Sequence, residues 1–377
     1  MKITVDNSEL KQVLACVTRV INTHVSMPIL QNILITKEDD SYYMVANSSE
    51  SELSLKINFN LISGKFEPIC INPQVLLQMS AKLGSEQLIF TTNSNKVKID
   101  YLTGSFSLPL FQAEEFPRLA KKLNDDFTAF SIESSYMLPT LTSAATMTNN
   151  KDVLRPILST VAIDVVNDGV TIVATNGNRL YRRRHIPGAP FIELGKPILM
   201  LYPSIINSII KDAFATSEMV KFEGDARALH ISSDKANFIS LNVRGNYPNY
   251  NAVIPDKFKS QITINRKALI DALERVTLLA CKSLQIIRLT FAEKQLTLSS
   301  SDIDFSIDGS ESLELVESTV EDDFHISFKG GSLINLLRIA QTDEVIIKFN
   351  SLSMAAVVVE NDPKSEILML LMPYIET

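Results

Sequence analysis

The sequence predicts an α+β protein in which one domain type is repeated three times, each copy having two amphipathic helices packed on antiparallel sheets. Three observations support this class. Each third of the chain opens with a short apolar strand that leads into a helical pattern, a second helix begins about 65 to 70 residues later, and strands follow each helix. Dividing the 377 residues by three gives about 126, which is a normal domain size and too long for a solenoid repeat.

The first helix of each copy follows a strand and begins near a serine or asparagine that is able to cap it. The strand and helix of the three copies are residues 1–5 and 8–21, 128–132 and 134–148, and 261–264 and 265–280. We expect Ser8, Ser134 and Asn265 to supply the caps. In the middle copy Pro139 must lie within or near the first turn, because proline inside a helix removes a hydrogen bond.

The second helix of each copy begins at a local start signal, namely Asn72-Pro73, Tyr202-Pro203 or Gly330-Gly331-Ser332. Proline at the first helical position lacks only an N–H that would have no partner there. Between the two helices each copy carries a polar turn after an apolar strand, at residues 47–50, 175–179 and 299–302. We place the domains at residues 1–125, 126–256 and 257–377, where polar linkers separate the copies.

Composition favours a cytoplasmic protein of modest negative charge. The chain is 45% hydrophobic and 21% charged, with a net charge of −7 that does not suggest a nucleic-acid binder. Cys16, Cys70 and Cys281 are far apart and form no CxxC motif, so we expect free thiols in a reducing compartment. Residues 1–5 form a strand pattern rather than a signal peptide, and no apolar run approaches the ~20 residues that span a membrane.

The sequence lacks the usual signatures of catalysis, so we expect no active site, no metal and no cofactor. There is no glycine-rich phosphate loop, and the four histidines are scattered without metal-ligand spacing. Asp302 and Asp304 alternate along a predicted strand and are the carboxylate pair on which a hydrolase would depend. Without a neighbouring histidine or third acid, a solvated sheet face is the preferred interpretation.

Basic residues concentrate on the predicted helices, whereas the acidic excess falls on strands and loops. An acidic protein with basic helix faces can present one positive surface to a polyanion and repel it elsewhere. Ordinary solvation of amphipathic helices is the alternative interpretation. The basic residues on or beside the helices are Lys11, Arg19, Lys82, Lys211, Arg266, Lys267, Arg275, Lys282, Lys329 and Arg338.

Several short motifs occur in an order and spacing that resemble one known family. They are MPILQNIL at 27–34, LRPILS at 154–159, ATNGNRL at 174–180, YPNY at 247–250 and LMP at 371–373. Together they resemble the bacterial DNA polymerase III beta subunits, the replication sliding clamps, over the whole chain. The resemblance implies three repeated sliding-clamp domains in each chain of a head-to-tail homodimer, which forms a pseudo-sixfold ring. Such a ring encircles duplex DNA without sequence preference and tethers the polymerase as a non-catalytic processivity subunit.

The resemblance also implies a peptide-binding groove between the second and third domains. Its partners would be the polymerase alpha subunit, the clamp loader, other polymerases and repair proteins, each through a short linear peptide. Leucine, methionine and proline walls accommodate different apolar peptides, because methionine adapts its shape readily. The residues carried over to this site are Leu158, Thr175, Gly177, Asn178, Arg179, Leu180, Pro248, Val253, Met354, Leu370, Met372 and Pro373.

Two further sets of residues follow from the resemblance. His24 and Lys151 join the basic helix residues as DNA-facing positions, with His24 standing where an arginine is often found. Phe106 and Leu108 of one chain would meet Leu278 and Leu279 of the other at the dimer interface.

The chain departs from the family pattern in its second turn, where Asn176 and Asn178 replace the usual aspartate and histidine, and in its C-terminal tail. These departures affect the preferred peptide. The competing hypotheses are a peptide-binding hub that does not encircle DNA, and the hydrolase that would use Asp302 and Asp304.

Overall fold

The structure, a computed structural model, describes residues 1–22, 27–120, 123–148, 155–166, 169–185, 198–292, 294–321 and 324–375. The chain divides into two compact units. The first comprises Met1–Pro139 with Ala189–Arg244, and the second comprises Thr140–Gly188 with Gly245–Thr377. This division runs through the second predicted domain, so the three domain boundaries stay predictions.

Each of the six helices expected from the sequence is present. A π-helical turn, Ile206–Ile210, joins two short α-helical segments, and together these make the second helix of the middle repeat. The α-helices are α1 (Asn7–Val17), α2 (Pro73–Lys82), α3 (Ser134–Ala145), α4 (Pro203–Ile205), α5 (Lys211–Ala213), α6 (Arg266–Thr277) and α7 (Gly330–Ile339).

The helix caps agree only partly with the sequence. Asn265 caps α6 as expected, its Oδ1 accepting a hydrogen bond from the backbone N–H of Ala268 at 2.9 Å. The cap expected at Ser8 is wrong, because α1 begins one residue earlier and Oδ1 of Asp6 accepts from the N–H of Ser8 at 2.8 Å. An aspartate at this position both satisfies the free N–H and complements the positive end of the helix dipole.

Ser134 and Pro139 also differ from expectation. Ser134 belongs to α3, and its Oγ donates to the carbonyl of Phe214 at 2.7 Å instead of capping the helix. Pro139 lies beyond the first turn of α3, and the helix continues through it. The loss of one backbone hydrogen bond is offset by packing, since Met137, Leu141 and Ala144 of the same helix are buried.

The first unit contains two antiparallel sheets. One runs in the order β5-β1-β7-β8-β9, and the other in the order β10-β15-β16-β17-β4-β3-β2-β6. The β17–β4 pairing, which includes Phe238 opposite Leu53, joins strands of the first and second repeats. The strands of this unit are β1 (Lys2–Asp6), β2 (Ile33–Glu38), β3 (Ser41–Asn47), β4 (Ser51–Ile57), β5 (Asn60–Ser63), β6 (Ile69–Ile71), β7 (Gln87–Thr92), β8 (Lys96–Tyr101), β9 (Gly104–Pro109), β10 (Thr128–Glu133), β14 (Leu199–Leu201), β15 (Met219–Gly224), β16 (Ala228–Ser232) and β17 (Ala236–Leu241).

The second unit repeats this plan. One sheet includes the strand order β11-β12-β13-β26-β25-β24-β18-β22, and the other runs β21-β20-β19-β23. The β13–β26 pairing joins the second repeat to the third. The strands are β11 (Val161–Val166), β12 (Gly169–Thr175), β13 (Arg179–His185), β18 (Ser260–Asn265), β19 (Ile286–Ala292), β20 (Gln295–Asp302), β21 (Ile307–Glu314), β22 (Glu317–Ser318), β23 (His325–Lys329), β24 (Glu344–Phe349), β25 (Ala356–Glu360) and β26 (Ile367–Leu371).

The first two predicted turns share one local structure, and the third does not exist where it was expected. Oδ1 of Asn47 accepts from the N–H of Ser49 at 2.6 Å, and Oγ1 of Thr175 accepts from the N–H of Gly177 at 3.1 Å. Ser49 and Gly177 both have a positive φ. Residues 299–302 instead belong to β20, which stays paired with β21 as far as Asp302 opposite Ile307. The third turn therefore lies after residue 302.

The cysteines are free thiols in the structure. Burial raises the pKa of Cys16 to about 11 and that of Cys70 to about 12, while Cys281 is half-buried. Among the described residues no helix has the length and apolar character needed to cross a membrane.

Asp225 connects the β15–β16 turn to the chain ahead of β10. Its carboxylate is 1% exposed and accepts backbone hydrogen bonds from Arg227 at 2.7 Å, Ala228 at 2.8 Å and Asn124 at 2.8 Å. Burial alone would raise the pKa of Asp225, but these N–H donors and the charge of Arg227 hold it below its usual value.

We expect Asp225→Asn to destabilise the protein by about 1–3 kcal/mol, because an amide cannot accept all three hydrogen bonds. Since the folded pKa of Asp225 is depressed, its stabilisation is fully present above the ordinary aspartate pKa and is lost as pH falls below it. Urea midpoints across this range should fall less steeply for the variant than for wild type. Asp234→Asn, at an exposed position in the β16–β17 turn, is the control. It should leave the stability and its pH dependence unchanged.

Candidate functional site

The turn between β12 and β13 is held by the side chain of Thr175. Its Oγ1 donates to the carbonyl of Arg179 at 2.8 Å and accepts from the N–H of Gly177 at 3.1 Å. Gly177 has φ of 91°, a left-handed conformation that strains other residues. Asn178 is exposed at the tip. The turn is therefore a defined structure that presents backbone and a small polar side chain to solvent.

The C-terminal strand lies directly beside this turn. In the β13–β26 ladder Leu180 is opposite Leu370, so their side chains share one face of the sheet. The N–H of Met372 then donates to the carbonyl of Asn178 at 2.8 Å, which extends the pairing past the end of β26. Met354 lies shortly before β25, the strand on the other side of β26.

A one-turn 3-10 helix, Pro156–Ser159, approaches the same place from the other side. It leads into β11, where Val161 is opposite Ala174 of β12. Leu158 on this helix is 9% exposed. Gly245, with φ of 128°, comes so close that a Cβ there would lie 2.4 Å from Cδ1 of Ile157. The loop after Gly245 therefore packs directly on the 3-10 helix.

This loop continues into a second 3-10 turn, Tyr250–Val253, which is tied to the sheet by a tyrosine. The hydroxyl of Tyr250 donates to Oδ2 of Asp164 at 2.7 Å. Burial and the carboxylate of Asp164 raise the pKa of Tyr250 to about 12. Pro248 and Val253 on either side of this tyrosine are exposed, Val253 by 55%.

The residues predicted for the peptide site therefore all belong to the second unit and lie on segments that its hydrogen bonds connect. Leu158, Leu180 and Leu370 are buried beneath the surface. Met354 and Met372 are 46% and 38% exposed, so the set combines buried and exposed apolar side chains. We name this set, with Thr175, Gly177, Asn178, Pro248, Val253 and Pro373, the turn site.

Arg179, the remaining residue predicted for the peptide site, is held by a hydrogen bond within the second unit. Its Nη2 donates to the carbonyl of Thr146 at 2.8 Å, so the guanidinium is held beside the end of α3. Burial lowers the pKa of Arg179. Asp164 and Arg182 also lie near the turn site and were not predicted from the sequence, although the run Arg182-Arg183-Arg184 was a signal for the second.

The predicted DNA-facing residues differ in their local contacts. Lys11, Lys82, Lys211, Lys282 and Lys329 are exposed, and none of them forms an ion pair with another described residue. Four arginine and lysine side chains pair with acids, namely Arg19 with Asp212, Lys267 with Asp271, Arg275 with Glu311 and Arg338 with Glu274. Arg266 is half-buried and its Nε donates to the carbonyl of Thr342 at 2.6 Å. His24 and Lys151 lie outside the described residues.

The predicted interface residues lie beside two sheet edges, one in each unit. Leu278, at the end of α6, is 84% exposed, and the Cδ1 atom of Leu279 would lie 2.4 Å from a Cβ at Gly309 of the edge strand β21. On the other edge strand, β9, Phe106 is half-buried and Leu108 is 6% exposed. Leu108 therefore packs into the core of its own unit and is not exposed at the edge strand.

The two carboxylates considered for a hydrolase do not lie on one strand, as the sequence had suggested. The expectation that Asp302 and Asp304 alternate along one strand is wrong, because β20 ends at Asp302 and Asp304 lies in the turn that follows. Within the part of the chain that the structure describes, no three histidine, cysteine or acidic side chains come together as a possible metal site.

Two family models match the chain, one at each end. They are the N-terminal domain of the DNA polymerase III beta subunit, over residues 1–120, and its C-terminal domain, over residues 251–375. The chain belongs to the DNA polymerase III beta subunit family, the bacterial sliding clamps. This family is a non-catalytic subunit, which confirms the prediction that the chain is not an enzyme.

Relatives and solved structures agree with this family. The chain is 23% identical over 363 residues to the beta sliding clamp of Synechococcus elongatus, covering 93% of each sequence. It matches a DnaN sliding clamp from Pseudomonas aeruginosa bound to griselimycin with a TM-score of 0.89 at 20% identity, covering 100% of both chains. A DnaN sliding clamp from Bartonella birtlesii bound to griselimycin matches with a TM-score of 0.87 at 23% identity, again over 100% of both chains. The α+β sliding-clamp fold predicted from the sequence is thereby confirmed.

Replacing Thr175 with valine tests whether its hydroxyl holds the turn. The side chain keeps its β-branched shape but loses the hydrogen bonds to Gly177 and Arg179. We expect the amide hydrogens of residues 177–179 to exchange about 5- to 10-fold faster, since about 1 kcal/mol of local stability is lost. Hydrogen–deuterium exchange with mass spectrometry measures this. Thr290→Val on β19 should leave exchange in the turn unchanged, and an unchanged rate in Thr175→Val would contradict the assignment.

Proposed function

We propose that the chain acts in DNA replication as a homodimeric ring that encircles duplex DNA and tethers the replicative polymerase. The observation that carries this proposal is the sliding-clamp fold over the whole chain, together with the family matches at its two ends. A ring that holds DNA topologically needs no base-specific contacts. We propose that the ring acts in the cytoplasm and is loaded onto DNA by a clamp loader.

The charge distribution supports DNA passing through the ring. The chain carries a net charge of −7, yet Lys11, Lys82 and Lys211 are exposed on or at the ends of helices. The paired cations contribute as well, because an exposed ion pair contributes only about 0–1 kcal/mol to stability and can be exchanged for a phosphate. Solvated lysines contact phosphates without reading sequence. The DNA contact is therefore weak and mobile, as sliding requires.

The two sheet edges support a head-to-tail dimer. β9 ends one sheet of the first unit and β21 ends one sheet of the second, and an edge strand has backbone groups free to pair with another chain. Beside β21, the 84% exposed Leu278 offers an apolar contact that the single chain leaves in water. Acidic Asp308 and Glu314 on β21 complement Lys96 and Lys98 on β8, next to β9. Joining β9 of each protomer to β21 of the other closes a ring of two chains.

The turn site is proposed to bind short apolar peptides of partner proteins. It combines exposed Met354 and Met372 with buried Leu158, Leu180 and Leu370 on connected segments, which suits a peptide carrying large apolar side chains. Relatives with this fold have been solved with griselimycin bound, which supports a ligand site on the fold. The proposed partners are the polymerase alpha subunit, the clamp loader, other polymerases and repair proteins.

Retention on closed circular DNA tests the ring. We expect wild-type protein, loaded on a nicked circle by a clamp loader, to stay bound through gel filtration and to be released once the circle is cut. Leu278→Asp should abolish retention by converting the dimer, roughly twice 41.9 kDa, into monomers. Native mass spectrometry measures the mass of each variant.

The matched control is Leu241→Asp, at a 59% exposed position on β17. It should remain dimeric and be retained. A wild-type protein that is monomeric at micromolar concentration would overturn the ring. Equal retention on cut and closed circles would instead favour the competing hypothesis, a peptide-binding hub that does not encircle DNA.

Met372→Ala tests the peptide site. Because Met372 is 38% exposed, its truncation should leave the dimer and its stability unchanged. We expect binding of a labelled polymerase-derived peptide to weaken about 10-fold, corresponding to the loss of one apolar wall residue. Fluorescence anisotropy with the full-length dimer measures the affinity. Met219→Ala, exposed on β15 in the first unit, is the control, and equal affinities for both variants would remove Met372 from the site.

A further inference from the structure

Arg182 on β13 is a half-buried cation with few partners. Its Nη1 donates to Oδ1 of Asn251 at 3.4 Å, at the long limit of a hydrogen bond. Its Nε is buried and has no hydrogen-bond acceptor among the described residues. The titratable groups acting on it within the described chain are Tyr250 and a second cation, Arg184. Burial and Arg184 lower the pKa of Arg182, whereas Tyr250 raises it.

One carboxylate on the same face of the sheet, that of Asp164, already has a partner. Asp164 lies on β11 and accepts the hydroxyl of Tyr250 at 2.7 Å. In the strand register it shares a row with Thr171 and Arg184, not with Arg182. Arg182 is opposite Val173 on one side and Leu368 on the other, both apolar. The residues directly opposite Arg182 are therefore apolar, and the two acids on this face, Asp164 and Glu366, both lie in the row of Arg184. Among the described residues no ion pair joins Arg182 to either acid.

Two structural connections place Arg182 next to the turn site. Leu180 lies two residues before it on β13, and side chains two apart in a strand point to the same face. Asn251, which holds its Nη1, lies two residues before Val253 in the Tyr250–Val253 turn. Leu180 and Val253 are both members of the turn site. The guanidinium therefore lies just beyond the apolar end of that site.

A partly desolvated guanidinium without an acid destabilises the fold, since burying an unpaired charge is unfavourable. Arginine also presents a fork of N–H donors that matches a carboxylate in a bidentate geometry. Groups held in this way concentrate at binding sites, where a ligand supplies the missing partner.

We propose that Arg182 forms an anion subsite that extends the turn site and selects partner peptides carrying a carboxylate next to their large apolar side chains. This inference rests on the proposed peptide-binding function. The carboxylate belongs to an acidic side chain, or to the peptide's own C-terminus where the motif ends the partner chain. Arg182 thus acts as a specificity residue, while the apolar walls supply the affinity shared by all partners.

Matched peptides test the subsite with the full-length dimer. Labelled peptides share one pair of large apolar residues and carry either Glu or Gln at each flanking position, with a free or amidated C-terminus. We expect one position, or the free terminus, to bind wild type at least about five-fold tighter in its charged form. This preference should vanish in Arg182→Gln.

Arg183→Gln is the matched control. Arg183 is adjacent in sequence, carries the same charge, and points to the opposite face, where its Nη1 donates to Oγ1 of Thr140 at 3.1 Å. It should keep the preference for the charged peptide. Equal loss in both variants would mean a diffuse charge effect and overturn the subsite, as would a preference that survives in Arg182→Gln or is absent from wild type.

The stability of the Arg182→Gln variant shows whether Arg182 has a binding role or a packing role. Because Arg182 has no ion-pair partner among the described residues, Arg182→Gln should leave the urea midpoint unchanged or raise it. A lowered midpoint with an unchanged peptide preference would assign Arg182 to packing and overturn the proposal. If no peptide binds wild type while the protein is still retained on closed circles, the peptide site and this subsite both fail but the ring stands.

Discussion

The turn site depends on one long-range pairing, the antiparallel ladder between β13 and β26. Leu180 and Leu370 are 190 residues apart in sequence, yet the ladder places them directly opposite each other. If β26 shifted by one residue against β13, Leu370 would turn to the other face of the sheet and lose its place beside Leu180. The hydrogen bond from Met372 to Asn178 extends this register into the C-terminal tail. The second and third repeats therefore create the site together, and neither contains it alone.

The repeated turn shows how a shared local structure acquires a role. In the first turn the side chain of Asn47, and in the second the side chain of Thr175, accepts a hydrogen bond from the N–H two residues further on. The first is followed by β4, which pairs with β17, whereas the second is followed by β13, which pairs with the C-terminal strand. Gly177 further removes the side chain at the tip. What distinguishes the second turn is thus its neighbour in the sheet and not its own conformation.

Local patterns predicted the helices well, because a 3.6-residue apolar period and a proline at the first helical position are properties of short segments. The misplaced features depend on distant partners. β20 extends through residues 299–302 because β21 pairs with it that far, and α3 tolerates Pro139 because its other residues are buried. The turn-site residues were accessible only through the family resemblance. Arg182 was missed since a run of arginines does not show which face each one occupies, or that a cation there lacks an acid.

The ion pairs on the helices also depend on partners that are distant in sequence. They affect how the proposed ring would slide along DNA. Arg19 and Asp212 are 193 positions apart, so the sequence shows a basic residue where the structure shows a neutralised one. Such a pair lowers the positive potential without removing the cation, because an approaching phosphate can replace the carboxylate at little cost. In the proposed ring, lysines without an ion pair among the described residues would attract DNA constantly, while paired arginines would respond only to DNA that comes close. A ring held by topology gains from this combination, since stronger fixed contacts would slow its movement along the duplex.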